Sequence, residues 1–179
     1  MTSADLGNGS RAMNKEHSFW GTVSGGDLDD IVRQQHDLWD WGVSTIEIRT
    51  DLVPVRLHSD VLRTAVNRGP TYVAHFGTGA HAGISCQSLL EALESPTIGG
   101  IVCHSRLESV SEIRHAASEA GKGFIAAFHS QTPITLDEAL AEYAYQATLE
   151  PLFRKIAARA VTVEEALTLV MATHRASAA

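Results

Sequence analysis

Short apolar, β-branched segments alternate six times along this chain with longer segments whose apolar residues recur every three or four positions. The first pattern predicts a strand and the second an amphipathic helix, so the sequence predicts six βα units. Strands that alternate with helices form a parallel sheet joined by right-handed crossovers. The predicted strands are residues 19–24, 43–51, 71–76, 98–104, 123–129 and 151–160.

The predicted helices carry their own start signals. Three of them open with a capping box, in which Ser or Thr is followed three residues later by Glu: Ser109 with Glu112, Thr135 with Glu138, and Thr162 with Glu165. Asp27 caps the first predicted helix, and Ser59-Asp60 caps the second.

Residues 1–18 lack periodicity and predict a disordered tail. Residues 19–175 predict one domain, and residues 176–179 predict a frayed end.

Two architectures fit six βα units. A doubly wound open sheet would bind a nucleotide, but residues 22–27 are not a G-x-G-x-x-G turn and no P-loop occurs. The other architecture is a TIM-type (β/α) barrel, whose complete form needs about 250 residues. A chain of 179 residues would supply a barrel truncated to about six units. The barrel is the architecture we expect.

Charge and composition exclude several partners. The net charge is −7, from 14 Lys and Arg against 21 Asp and Glu, and no predicted element concentrates basic residues, so nucleic acid is not expected. No apolar run approaches the roughly 20 residues that span a bilayer, and no signal peptide is visible. We therefore expect no membrane partner and a cytoplasmic protein. Cys86 and Cys103 lack metal-type spacing and predict buried, reduced thiols.

Lys155 is the most informative single residue. The chain has only two other lysines, Lys15 in the predicted tail and Lys122 in a turn. With period two, Lys155 shares a strand face with Phe153 and Ala157. Loss of hydration on an apolar face favours a neutral amine, which can attack a ketone to form a Schiff base. The alternative is a surface lysine that extends along an edge strand to water.

Three segments resemble the type I 3-dehydroquinate dehydratases, in the same βα order. Residues 46–51 (Ile-Glu-Ile-Arg-Thr-Asp) resemble the family's E-x-R-x-D segment on the second strand. Residues 128–133 (Phe-His-Ser-Gln-Thr-Pro) are similar to its S-x-H-D-F-x-x-T-P segment. Residues 154–157 (Arg-Lys-Ile-Ala) resemble its V-K-I-A strand. The resemblance runs from about Phe19 to about Arg175.

The resemblance implies a reaction and roles. Such an enzyme eliminates water from 3-dehydroquinate to give 3-dehydroshikimate, a step of the shikimate pathway. Lys155 would be the imine-forming nucleophile and His129 the general acid and base. Glu47 would orient or charge the histidine. Arg49 and Thr22 would contact the substrate, a small keto acid, and Arg49 would balance Glu47. No cofactor and no metal are implied, because the lysine itself supplies the electron sink.

The chain also departs from the family pattern. Gly77 stands where the family has a substrate-binding arginine in F-R-T, Ser130-Gln131 replaces Asp-Phe, and Ser105-Arg106 replaces acidic residues. The last two βα units, with a second carboxylate-binding arginine, are missing. Loss of two arginine–carboxylate contacts would cost several kcal/mol of binding, on the order of 1.5–3 kcal/mol each. Two alternatives follow: a divergent Schiff-base lyase or aldolase-like enzyme for another keto substrate, and a non-catalytic binding protein.

Two further expectations concern metals and partners. His75, His81, His104 and His129 would fall near the carboxyl ends of strands three to five, where imidazoles bind zinc in some barrel enzymes. We place this metal-enzyme alternative below the lyase, because no H-x-H or paired-carboxylate pattern accompanies the histidines. The first and sixth strands would also be unpaired edges. A homodimer, or a partner chain, is expected to cover them.

Overall fold

The structure is a computed structural model that describes residues 20–65, 68–76 and 82–178, with the side chains of residues 82–85 left aside. It contains six strands and six α-helices in strict alternation, with two short 3-10 turns, Thr50–Leu52 and Val55–Leu57, after the second strand. The strands are β1 (Trp20–Val23), β2 (Thr45–Arg49), β3 (Thr71–His75), β4 (Gly100–His104), β5 (Gly123–Ser130) and β6 (Phe153–Ala158). The helices are α1 (Leu28–Asp40), α2 (His58–Arg63), α3 (Ala82–Glu94), α4 (Val110–Glu119), α5 (Leu136–Thr148) and α6 (Val163–Ser177).

The sheet settles the choice between the two architectures. All neighbouring strands are parallel, and their spatial order is β1-β2-β3-β4-β5-β6, the same as their order in the chain. A doubly wound sheet would reverse its strand order at a switch point. The sheet instead curls into a half-barrel, so the predicted truncated TIM-type barrel is confirmed. In the described part of the chain, β1 and β6 each pair with one neighbour only.

Aromatic side chains bring the two edge strands towards each other. The ring of Trp20 on β1 stacks on Tyr72, with 5.2 Å between the centroids, and meets the ring of Phe153 on β6 edge-on at 6.3 Å. Trp20 and Phe153 remain 37% and 39% exposed. The edges therefore approach through side chains and leave a gap in the barrel wall.

Three apolar clusters stabilise the half-barrel. One joins α5 to α6 through Ala139, Tyr143 and Ala172, and the other two lie one on each side of the sheet. The larger lies between the convex face and the helices and includes Ile46, Ile48, Ile101 and Ile113, each with no exposed surface. Complete burial of one such side chain contributes roughly 1.5–3 kcal/mol. The smaller cluster lines the concave face and consists of Tyr72, Ala74, Val102, Ile125 and Ala127, with Phe76 packed against it.

Two glycines make room for Tyr72 on the concave face. A Cβ atom at Gly100 would lie 2.3 Å from the carbonyl oxygen of Gly123 and 2.5 Å from Cε1 of Tyr72. A Cβ at Gly123 would lie 3.0 Å from the same ring. Small residues at the start of β4 and β5 therefore let the tyrosine ring lie across both strands, where it supports Trp20.

The helix starts test the predicted caps. Thr135 and Thr162 form complete capping boxes with Glu138 and Glu165, and Asp27 accepts a hydrogen bond from the Asp30 amide. The capping box predicted at Ser109 is wrong, because the Ser109 backbone is not extended and its side chain forms no capping bond. Helix α2 begins at His58, one residue before the predicted cap, without a side-chain bond at its N-cap.

The last helix also differs from its predicted end. The sequence predicts fraying from residue 176, whereas α6 continues through Ser177, and Arg154 donates a hydrogen bond to the Ala176 carbonyl in its last turn. The predicted tail, residues 1–18, lies outside the described residues.

Within the described ranges, no helix is both long and apolar enough to cross a membrane. Cys103 is buried, Cys86 is half-buried, and both are free thiols.

Candidate active site

The strand register brings the predicted residues together on the concave face. Thr22 pairs with Glu47 across β1 and β2, and on the opposite edge Ala127 pairs with Lys155 and His129 with Ala157. Side chains alternate along a strand, and paired residues of neighbouring strands point to the same face. Thr22, Glu47, Lys155 and His129 therefore share the inside of the half-barrel.

Lys155 forms an ion pair across the half-barrel with Glu47. Its Nζ donates to both carboxylate oxygens, at 2.8 Å to Oε2 and 3.1 Å to Oε1. The Glu47 side chain is 2% exposed, whereas that of Lys155 is 37% exposed. The family resemblance implies that Glu47 acts on the histidine and is balanced by Arg49. In the structure the carboxylate is instead bonded to the lysine.

His129 lies on the carboxyl side of Lys155 and packs against Phe76. The two rings are nearly parallel, at 21°, with 3.9 Å between their centroids. Nε2 of His129 is buried and has no hydrogen-bond partner among the described residues. Burial, followed by the positive charges of Lys155 and Arg49, lowers the pKa of His129 to about 4. The imidazole is therefore neutral at neutral pH, with a ring nitrogen free to accept a proton.

Arg49 is held by a neighbouring acid. Its Nε donates to Oδ1 of Asp51 at 2.8 Å, and a terminal nitrogen donates to Oδ2 at 2.6 Å. This two-point hydrogen bond to Asp51 raises the pKa of Arg49. The guanidinium also lies 4.6 Å from the centroid of the Phe76 ring. Asp51 therefore occupies the edge of the guanidinium formed by Nε and one terminal nitrogen, and it balances the charge of Arg49.

His104 completes the polar surroundings of His129. Its Nδ1 accepts a hydrogen bond from the Arg106 amide at 3.2 Å, and a further hydrogen bond joins its ring to the His129 backbone. Burial lowers the pKa of His104, so it also favours the neutral form. The sequence pattern indicated His104 only as a possible metal ligand. It gave no sign that the Phe76 ring lies against the imidazole of His129.

Ser105 and Arg106, which stand where the family has acidic residues, both donate hydrogen bonds to an acidic residue on another element. Glu142 on α5 is 5% exposed and accepts from the Ser105 hydroxyl at 2.5 Å and from Arg106 Nε at 2.9 Å. The Arg106 guanidinium lies 3.7 Å from the centroid of the Tyr145 ring. These residues fix the end of β4 against α5, so Arg106 is already paired.

A cavity of about 300 Å³ opens on the amino side of Lys155, beside the gap between the edge strands. Its lining is mostly apolar and comprises Trp20, Thr22, Glu47, Ile125, Phe153 and Lys155. Thr22, the predicted substrate contact, lines this cavity. The two aromatic rings at the mouth are partly exposed, which makes them available to an apolar ligand.

The predicted histidine cluster does not form as a group. His75 points to the convex side, where its Nδ1 lies 3.0 Å from the Thr50 hydroxyl and its ring lies near His58. His81 and Gly77 lie outside the described residues. Among the residues with described side chains, no three His, Cys, Asp or Glu residues are grouped to hold a metal ion.

The similarity of this chain to known proteins lies in its structure. No protein-family model matches the chain, and no curated protein matches it by sequence. The structure superposes on 3-dehydroquinate dehydratase from Geobacillus kaustophilus with a TM-score of 0.78 and 16% identity, over 90% of this chain and 69% of that one. Type I 3-dehydroquinate dehydratase from Clostridium difficile, solved with covalently modified comenic acid, gives a TM-score of 0.77 and 17% identity, over 88% and 69%.

A third similar structure comes from another class of lyase. The structure of a putative deoxyribose-phosphate aldolase from Coccidioides immitis gives a TM-score of 0.57 and 12% identity, over 88% of this chain and 66% of that one. The similarity to the dehydratases covers 90% and 88% of this chain. The chain therefore has the fold of the type I 3-dehydroquinate dehydratases, and the resemblance seen in its sequence is confirmed at the level of that fold.

Proposed function

We propose that the chain is a Schiff-base-forming lyase in which Lys155 attacks the carbonyl carbon of a small keto substrate. The observation that supports this most is the position of Lys155 Nζ on the concave face, beside a buried carboxylate and near an imidazole with a free nitrogen. Lys122 donates instead to the Ser95 carbonyl, away from the sheet interior. Lys15 lies outside the described residues.

The first step joins Lys155 to the substrate. Glu47, at 2.8 Å, accepts a proton from the ammonium and leaves a neutral amine. The amine adds to the carbonyl carbon, and one of its protons passes to the oxygen to give a carbinolamine. Glu47 then returns its proton to that oxygen, which leaves as water and gives an iminium. The buried position of Glu47 keeps the proton close to the nitrogen throughout this step.

The second step eliminates water from the bound substrate. His129 takes a proton from the carbon next to the iminium, and the C–H electron pair moves towards the nitrogen to form an enamine. The enamine electrons then expel the hydroxyl on the following carbon, which leaves as water with the proton held by His129. Hydrolysis of the iminium releases an unsaturated ketone and restores the Lys155 amine.

Dehydration of 3-dehydroquinate, in the cytoplasm and within the shikimate pathway, is the specific reaction that the family resemblance favours. The dehydratase structures on which the chain superposes support it, and so does the presence of Lys155 and His129 on one concave face. The free thiols of Cys86 and Cys103 accord with a reducing compartment.

A different keto substrate is the second candidate, and one contact favours it. Asp51 occupies the Nε edge of Arg49 through two hydrogen bonds and balances its charge, so Arg49 attracts a substrate carboxylate less strongly than an unpaired guanidinium would. The cavity beside Lys155 is bounded by Trp20 and Phe153 instead. An uncharged β-hydroxy ketone with an aromatic ring suits such a lining better than a polyhydroxylated acid does.

Turnover of two probes separates these candidates. The first probe is 3-dehydroquinate, and the second is 4-hydroxy-4-phenylbutan-2-one, which gives benzalacetone by loss of water and benzaldehyde with acetone by carbon–carbon cleavage. Each product absorbs in the ultraviolet. The Lys155→Gln variant is expected to abolish product formation, whereas Lys122→Gln, as matched control, is expected to leave it unchanged.

The outcomes differ for each candidate. Turnover of 3-dehydroquinate supports the parent reaction, and turnover of the aromatic probe alone supports the second candidate, with benzaldehyde indicating an aldolase-like enzyme. If neither probe is converted or forms a reducible imine, the lyase proposal fails. The non-catalytic binding protein would then be the better account of the Lys155–Glu47 pair.

A further inference from the structure

We propose that helix α6 is a self-association surface that binds α6 of a second copy of this chain in antiparallel orientation. The surface is the row formed by Val163, Leu167, Val170 and His174, called the α6 stripe below. It lies on the helix layer, whereas Lys155 lies inside the half-barrel. The inference therefore does not depend on the proposed chemistry.

The spacing of the α6 stripe matches a helix–helix seam. Its members are separated by four, three and four residues, which is the a/d spacing of a two-helix contact. Val163, Leu167 and Val170 are 70%, 53% and 64% exposed. On the opposite side of the helix, Ala172 is buried. The helix thus presents one apolar row to its own core and a second to solvent.

The charges on α6 select a second copy as the occupant. Glu164 lies in the first turn, and His174 and Arg175 lie in the last turn. Two antiparallel copies centred between Thr168 and Leu169 place Glu164 of each helix near the basic last turn of the other. Parallel copies would place like charges together. A surface that is complementary to itself about a two-fold axis is the usual basis of a homodimer.

The two charged side chains are available for this contact. Neither Glu164 nor Arg175 forms an ion pair with any residue that the structure describes. Glu165, by contrast, is used in the capping box, where it accepts from the Val161 and Thr162 amides. The helix is fixed at its other end by a hydrogen bond between the hydroxyls of Tyr143 and Thr173. The α6 stripe is therefore a preformed surface that needs no rearrangement to bind.

Sedimentation equilibrium of the full chain tests the contact. Wild type is expected to dimerise reversibly at concentrations up to about 100 μM. Leu167→Asp is expected to raise the dissociation constant about 100-fold, since each dimer then buries two carboxylates in the seam. Val55→Asp is the matched control, because Val55 is 66% exposed on another element, and its dimer should match wild type. Circular dichroism establishes that both variants are folded.

Charge reversal tests the orientation. Glu164→Arg and Arg175→Glu should each raise the dissociation constant about tenfold, and an equimolar mixture of the two variants should form a heterodimer as stable as the wild-type dimer. A wild-type chain that stays monomeric, or a dimer insensitive to Leu167→Asp, would overturn the proposed surface. Failure of the mixture to associate would overturn the antiparallel arrangement.

Discussion

Phe76 lies flat against the imidazole of His129, with 3.9 Å between the ring centroids, and it separates one face of that imidazole from water. The same ring contacts Arg49, so a single aromatic side chain joins the two polar parts of the site. The low pKa of His129 arises first from burial. We therefore expect the protonation of His129 to depend on Phe76.

Replacing Phe76 tests that dependence. We expect Phe76→Ala to raise the pKa of His129 from about 4 towards its ordinary value of 6.5, because water then reaches the face of the imidazole that Phe76 covers. Titration of the histidine resonances by NMR measures the change directly. Phe128→Ala serves as the control, since Phe128 contacts His104 and not the face of His129. An unchanged His129 pKa in the Phe76 variant would contradict this explanation.

The stability of the protein should fall in mild acid for the same reason. The folded pKa of His129 lies below its unfolded value, so the unfolded chain takes up this proton first as the pH drops. The contribution of His129 to the free energy of unfolding is therefore intact above about pH 6.5 and is lost progressively down to about pH 4.

Urea unfolding at a series of pH values measures this effect. His129→Gln is expected to reduce the fall in the free energy of unfolding between pH 6.5 and pH 4. Part of that fall should remain, because burial lowers the pKa of His104 as well. His115→Gln is the comparison variant, because the His115 side chain is 73% exposed. Equal slopes for both variants and wild type would argue against an acid-sensitive His129.

The Lys155–Glu47 pair makes a separate prediction about stability. Lys155→Met leaves the Glu47 carboxylate buried without its partner and should lower the free energy of unfolding by about 2 kcal/mol, less than for a fully buried pair because Lys155 is partly exposed. Adding Glu47→Gln to that variant should recover much of the loss. Urea unfolding of the two single variants and the double variant gives the coupling energy between Lys155 and Glu47. If the losses of stability in the single variants simply added in the double variant, the coupling would be refuted.

Gly100 tests the packing of Tyr72. A methyl group there would lie 2.3 Å from the Gly123 carbonyl oxygen, so the backbone of β4 or β5 must move. We expect Gly100→Ala to lower the free energy of unfolding by about 2–3 kcal/mol, visible as a lower Tm. At Gly26 a Cβ would meet nothing within 4 Å, so Gly26→Ala should leave the Tm nearly unchanged. Comparable losses in the two variants would rule out the close approach.

The alternation of apolar patterns was sufficient to predict the architecture. The six strands are all present, because each combines a β-branched or apolar run with a turn signal, and two capping boxes formed where Thr precedes Glu by three residues. The capping box at Ser109 failed because a cap also needs an extended backbone at its first residue, whereas Ser109 lies in a turn in which the Val110 amide donates to the Leu107 carbonyl.

The candidate site was predictable only in part. Period-two alternation placed Lys155 and Glu47 on the inside of a sheet, but their pairing depends on how far the sheet curls, since 108 positions separate them. The Arg49–Asp51 hydrogen bonds could have been predicted from the sequence, because both residues lie on one face of the same segment. The position of Phe76 over His129 depends on rotamers and on three strands at once, which no local pattern encodes.

Borohydride trapping with residue-level mass spectrometry tests the central claim most directly. The folded protein is incubated with each keto probe, reduced with borohydride and digested, and the modified lysine is identified. We predict a single secondary-amine adduct at Lys155, absent from Lys155→Gln and retained in Lys122→Gln. No adduct with either probe, or adducts spread equally over Lys15, Lys122 and Lys155, would contradict the account of Lys155 as an imine-forming residue.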